Sequence, residues 1–440
     1  MFDQYYSWYY ENLNKILVEL IEAEPETSII LDILNFDKEH AQIMSEEFHI
    51  PKSEVVSLIG EENKEKLLKD YLNLIISMTN NWMDNVHNTE RDIFLKRNIP
   101  PDTDGDGRLF LQGSKVVFQM FSQQCDVAAS SGQAKILLGV IEHFCGLLVD
   151  RSAKWQILIN EELSNYFVYL DNQDNMEFNG GFIEYLIAVG NDQINSCDLL
   201  ESLGNKFVTY VSSKYKDPIK SNLNLSIEKS IDVSETVRDS LLQLIYNDVK
   251  PIFDKIFTKS WYLTGDDLMK QLVNTMEEYF HEFKIELHKE IYDSILEDSF
   301  NDIVILKYLQ RLKNSVKFNN KKISDVIKRD LKILYGFFIN YLSDNYIEQQ
   351  FRIFEILMEL IDLGSNPSNQ RLIIEKFNNE YLNDFNDFSI LFLNDILKNC
   401  NTYSDKKISL ILNELENDKK KFTEYVGGEE NIVLSFMSKY

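Results

Sequence analysis

The chain has 440 residues, 44% of them apolar, and a formal net charge of −26. That apolar share is too high for a disordered chain, and the length exceeds what a single core usually serves. The acidity repels phosphate backbones, which speaks against nucleic-acid binding, and it leaves contact with anionic lipid only to local basic patches.

Only 7 Pro and 16 Gly punctuate the chain, a scarcity that favours long helices over a sandwich or barrel. The opening MFDQYYSWYYENL lacks the basic start and apolar core of a secretion signal and reads as a cut within a helix. Residues 5–22 are amphipathic and stop at Glu24-Pro25. Residues 62–88 follow, with Leu67, Leu68, Tyr71, Leu72, Ile75 and Ile76 on one long apolar face. The stretch 98–114 is a loop rich in Pro, Gly and Asp. Two helices come next, 115–130 and 133–168, hinged at Ser130-Ser131-Gly132. Val116, Met120 and Val127, then Ile136, Val140, Phe144, Leu147 and Leu148, recur at helical spacing.

After a polar loop at 171–181, a helix is predicted over 182–213, ending before Lys214-Tyr215-Lys216-Asp217-Pro218. The stretch 227–262 is helical, with Pro251 opening or kinking a segment. Thr264-Gly265-Asp266-Asp267 has the wording of a helix start, Thr264 acting as N-cap, and the pattern runs from there to about Val316 with one bend. Phe318-Asn319-Asn320 breaks it. Helical stretches at 322–363, 368–398 and 406–425 complete the chain, with Gly364 and Pro367 supplying a stop. No apolar run reaches the ~18 residues of a membrane span, so any membrane contact is expected to be peripheral.

Chemistry-bearing patterns are few. Asp102, Asp104 and Asp106 with Gly107 match the first half of an EF-hand calcium loop, yet Gly113 stands where the bidentate Glu belongs, and Pro100-Pro101 deny the loop its entering helix. Glu46/His49 and Glu278/His281 have the spacing used by di-iron bundles, but lie far apart in sequence. His281 and His288 share a face without forming a zincin motif. A metal-binding helical protein, with calcium at 102–107 or a di-iron centre, is the alternative reading. Neither a nucleophile elbow nor a phosphate loop occurs, so an enzyme is not expected, nor a cofactor. Cys125, Cys145, Cys197 and Cys400 stand singly and read as buried reduced thiols of a cytosolic protein. One basic segment stands out: Arg311, Lys313, Lys317, Lys321, Lys322, Lys328, Arg329 and Lys332 against Asp325 and Asp330, a local +6. Lys321, Lys322, Lys328 and Arg329 are its candidate partner-binding residues, for an acidic helix or anionic lipid. The aromatic run Tyr5-Tyr6-Trp8-Tyr9-Tyr10 is a second candidate surface.

The wording of VFQMFSQQCDVA at 117–128, GQAKILLGVIEHFCGLL at 132–148 with Trp155, and EYLIAVGNDQINSCDLLESL at 184–203 resembles the Sec-six subunit family of the exocyst, in its fungal form. The acidic Asp-Gly loop after Pro100-Pro101 is similar to a connector of that family. The likeness is clearest from about 80 to 210, and it corresponds to the C-terminal portion of such a subunit. It implies stacked helical bundles, other exocyst subunits as partners, contact with the plasma-membrane t-SNARE and its Sec/Munc regulator, and a cytoplasmic place at plasma-membrane sites of polarised secretion (bud tip and neck in a yeast). Homodimerisation stays open. The family has no catalytic residues to carry over.

The expectation is therefore an all-α, elongated rod of stacked antiparallel helical bundles. It has an N-terminal region at 1–265 and a C-terminal bundle at 266–440, and it holds other proteins rather than performing chemistry.

Overall fold

The structure, a computed structural model, describes residues 2–51, 54–173, 176–315, 317–319, 322–385, 387 and 389–425. It is all-α apart from one two-residue hairpin among those residues, and contacts divide it into two compact units, Met1–Ser240 and Leu241–Tyr440. No helix among them is long and apolar enough to cross a membrane.

The first unit holds α1 (Phe2–Glu22), α2 (Thr27–Glu46), α3 (Gly60–Lys96), β1 (Asp102–Thr103), β2 (Leu109–Phe110), α4 (Gln112–Ser130), α5 (Ala134–Asp171) and α6 (Phe182–Phe207). The division between the units falls inside α7 (Ser213–Phe253). α4 and α5, joined by the short turn at Ser131–Gln133, pack on each other and on α3, and α6 packs on α4 and β2. The buried stripe of α4 is Val117, Phe121, Cys125 and Ala128, a helical repeat; Phe121 stacks on Phe144 of α5 at 4.7 Å between ring centroids. The Val116 and Val127 positions, which the sequence places at helical spacing, lie on the outer side of α4.

Three local expectations are corrected here. α2 was not foreseen: its preceding residue, Glu26, makes no side-chain cap, so the usual start signal is missing. The Pro218 segment does not end a helix but lies inside α7, near its N-terminus, where only an early backbone bond is lost. The loop at 98–114 contains the antiparallel pair β1–β2, with Asp102 opposite Phe110 and Thr103 opposite Leu109.

The second unit holds α8 (Lys259–Glu286), α9 (Lys289–Asp298), α10 (Lys307–Lys313), α11 (Ile323–Phe338), α12 (Asp344–Gly364), α13 (Gln370–Lys376), α14 (Leu382–Asp384), α15 (Ile390–Cys400) and α16 (Asp405–Tyr425). Thr264 is not an N-cap. It sits inside α8 with non-helical angles (φ −127°, ψ 23°) and kinks it, its hydroxyl donating back to the Ser260 carbonyl at 3.1 Å. π-helical stretches at Ser299–Leu306 and Phe377–Tyr381 replace the single bend expected before 316 and the continuous helix at 368–398. In the first of these Phe300, Ile303, Val304, Ile305 and Leu306 are all buried, while the polar Asn301 and Asp302 between them are half-buried. Aromatic pairs fill this core: Phe300–Phe338 at 4.8 Å, Phe280–Phe337 at 5.8 Å and Tyr308–Phe354 at 5.4 Å.

Candidate interaction surfaces

The phrase at 184–203 clasps the Asp-Gly loop. Tyr185 and Asp192 stand seven residues apart on one face of α6, and Asn191 lies beside Asp192. Tyr185 donates its hydroxyl to the Ile99 carbonyl at 2.8 Å. Asn191 Nδ2 donates to the Leu109 carbonyl at 2.8 Å, and Asp192 Oδ1 accepts the Leu111 amide at 3.3 Å. Three side chains of one helix thus hold both ends of the loop that carries the hairpin. Burial pushes the Asp192 carboxyl up to about 7, while Arg151 and the Leu111 amide pull the other way.

Beneath the clasp lie two buried ion pairs. Arg151 grips Glu90 with two bonds, Nε to Oε2 at 3.0 Å and Nη2 to Oε1 at 2.5 Å, and reaches Ser114 Oγ at 3.3 Å. Arg97 closes α3 with a left-handed φ of 45°. Its guanidinium donates to Glu162 at 2.8 Å, to the Phe94 carbonyl at 2.7 Å and to the carbonyls of Asn179 and Gly180, and it lies 4.6 Å from the Phe178 ring centroid. The second loop, 171–181, is thereby pinned to the end of α3.

The residues of the metal reading are engaged otherwise or lie apart in this structure. Asp104 Oδ1 accepts the amides of Asp106 and Arg108, both at 2.9 Å, so its carboxylate builds the turn itself; Asp102 accepts from Gln112 at 2.8 Å. At Gly113, where a calcium loop needs its bidentate acid, any Cβ would collide with the Glu90 carboxylate. Glu46, His49, Glu278 and His281 are exposed, and each Glu-His pair belongs to a different unit. Among the described residues no three His, Cys, Asp or Glu side chains gather as a ligand set.

The structure treats the basic segment unevenly. Lys321 lies outside the described residues. Lys322 and Lys328 are exposed, as are Lys317 and Lys332, and none of the four has an ion pair among the described residues. Arg329 is turned inward, its Nε 2.7 Å from Asp266 and its Nη2 2.9 Å from Asp330. Asp330 itself is fully buried and accepts from Trp261 Nε1 at 2.7 Å and Tyr308 at 3.0 Å; burial raises its carboxyl, and those partners oppose the rise. Arg311 likewise answers Asp254.

The aromatic run lines a groove of about 480 Å³ between α1 and α2, with Tyr5 69% and Trp8 66% exposed on its rim and Phe36, Ile43 and Met44 facing them. His40 is buried in it, stacked on Tyr6 at 6.2 Å. A further groove, between the hairpin, α4 and α6, brings Arg108, Lys115 and Leu199 together. Nothing in the sequence signals it, since its walls come from three separate stretches of chain.

A family model described as exocyst complex component Sec6 matches residues 1–401. Exocyst complex component SEC6 of Saccharomyces cerevisiae is 36% identical over 413 residues, 90% of this chain and 50% of the relative. Exocyst complex component sec6 of Schizosaccharomyces pombe is 22% identical over 358 residues, 81% and 47%. The chain thus spans about half the length of the curated relatives it matches. The crystal structure of the C-terminal domain of the exocyst subunit Sec6p superposes with a TM-score of 0.76 and 31% identity, covering 87% of this chain and 98% of that one. That of M-Sec shares the fold, with a TM-score of 0.69 and 16% identity over 94% of this chain and 67% of that one.

Proposed function

The chain belongs to the exocyst complex component Sec6 family, and from that premise we propose that it is a non-enzymatic scaffold which binds other exocyst subunits and tethers secretory vesicles before fusion. The observation that carries this reading is the Sec6p C-terminal domain, 98% of which is covered by this chain at a TM-score of 0.76. The mechanism is presentation. Packed helices hold partner-binding faces in fixed register, and the interface energy is spread over several such faces. The buried polar groups support it, because Arg97 pins the loop at 171–181 and the α6 clasp pins the hairpin loop, and both loops would otherwise blur the surface around them. The plasma-membrane t-SNARE and its Sec/Munc regulator are further partners in this proposal, a second copy of the chain is another, and the place of action is the cytoplasmic side of plasma-membrane sites of polarised secretion. Of the basic segment, Lys322 and Lys328 offer their charges outward to an acidic helix or to anionic lipid, and Lys321 is a further candidate from the sequence alone. Arg329 contributes by holding α11 against α8.

Affinity purification of the tagged chain from its own cells, followed by mass spectrometry, tests the assignment. Other exocyst subunits are expected in stoichiometric yield, with the t-SNARE at lower yield. Recovery of the chain without any exocyst subunit would remove the proposal.

A further inference from the structure

The groove between the hairpin, α4 and α6 encloses about 530 Å³, in the size range of sites that take small ligands or single side chains of a partner. Its walls are largely apolar: Phe118 and Leu203 are buried, Phe110 and Leu111 are half-buried, and Leu199 stays 42% exposed on a helix whose opposite face is core. Four of its residues carry charge at the rim, and their states differ. Asp104 is consumed by two backbone amides of its own turn, and Lys206 pairs with Asp126 at 2.5 Å. Arg108 and Lys115 have no ion pair among the described residues. In a chain of net charge −26, this groove therefore presents two cations that form no ion pair among the described residues. Its polar lining contains a second unmet demand. Asp192 is 4% exposed, its Oδ1 accepts the Leu111 amide, and its Oδ2 has no hydrogen bond of regular geometry among the described residues, with the Ser114 hydroxyl as its nearest polar help. A buried carboxylate oxygen without a donor is costly, so an incoming N–H or O–H gains by reaching it.

We propose that this groove is the docking site for a short acidic segment of a partner protein. An aromatic or aliphatic side chain of the segment sits on Phe110, Leu199 and Leu203, flanking carboxylates pair with Arg108 and Lys115, and a backbone amide meets Asp192 Oδ2. The walls are pre-formed because the α6 clasp holds the hairpin, so little ordering cost falls on the scaffold side. The proposal deepens the scaffold reading by naming the chemistry of one partner. It concerns direct binding by this chain alone, so its failure leaves exocyst membership, tested by co-purification, untouched.

The test is fluorescence anisotropy of the full chain with a labelled pool of short peptides. These are acidic at both ends and carry Leu, Ile, Met, Phe, Tyr or Trp at the centre. A pool with Lys replacing each acid, and phosphatidylserine vesicles, run in parallel. The acidic pool is expected to bind and the basic pool not. Arg108→Glu with Lys115→Glu should weaken binding at least about tenfold, with a loss of salt dependence. Leu199→Asp, at an exposed position, should weaken it comparably while circular dichroism stays unchanged. Lys322→Glu with Lys328→Glu, in the other unit, should leave it unaltered. The proposal fails if the acidic pool does not bind or binds no better than the basic one, or if vesicles bind in its place. It fails equally if the Lys322/Lys328 pair causes the same loss as Arg108/Lys115.

Discussion

The two units solve the problem of buried polarity in opposite ways. The first buries full ion pairs, Arg151–Glu90 and Arg97–Glu162, together with Asp192; Arg151 ties α5 to α3 and α4, while Arg97 and Asp192 hold loops. In the second, the fully buried Asp330 is met by the neutral donors of Trp261 and Tyr308 and by a partly exposed Arg329, in a unit whose core is packed with tilted and edge-on aromatics. Ionic pairing in a low-dielectric interior is geometrically demanding and intolerant of a missing partner, whereas aromatic packing tolerates changes of similar volume. The first unit is thus the one whose wording has to be kept phrase by phrase. That is also where the resemblance to a known family is legible, from about 80 to 210.

The sharpest way to break the contrast is to remove one ion of the first unit. Arg151→Met leaves Glu90 buried without its cation and should cost about 3–5 kcal/mol in urea unfolding. Adding Glu90→Met removes the orphaned charge, and the double variant should regain most of that loss. A double variant no more stable than the single one would mean that the pair acts through shape rather than charge.

That network also marks the limit of what the sequence shows. Apart from α2, the long helices of both units are legible because their apolar residues recur at 3.6-residue spacing, as Ile136, Val140, Phe144 and Leu148 do. Arg151 and Glu90 are 61 residues apart, and nothing local pairs them. The Asp-Gly loop is legible as a turn but ambiguous in purpose, since the carboxylates that ligate calcium are the same ones that cap backbone amides. The π-helical stretches are invisible, because one extra residue per turn changes no residue type. Of the basic segment, charge alone could not separate Arg329, which faces Asp266, from Lys328, which faces water.

A smaller effect sharpens the comparison through pH. Burial raises the folded pKa of Asp192 to about 7, above the ordinary carboxylate value near 4. The native state therefore holds the proton more tightly than the unfolded chain. The stabilisation from this group is complete below about pH 4 and is lost as pH rises through about 7. Asp192→Asn should flatten that part of the stability profile, by a few kcal/mol at most, and the difference between the two profiles from urea titrations isolates it. An unchanged slope would show that Asp192 is already ionised in the fold at pH 5.

The smallest expected effect separates two neighbouring cations of the second unit. Arg329→Glu sets a carboxylate against Asp266 and the buried Asp330, and should cost about 1 kcal/mol, since the site is partly screened by solvent. Lys328→Glu changes the same formal charge one residue earlier, on a side chain that faces solvent, and should stay within about 0.5 kcal/mol. Thermal unfolding of the two single variants measures the gap. If both shift stability equally, net charge governs this helix and the inward turn of Arg329 contributes nothing. If only Arg329→Glu does, the basic run is two things at once, a strut at 329 and a free face at 322 and 328.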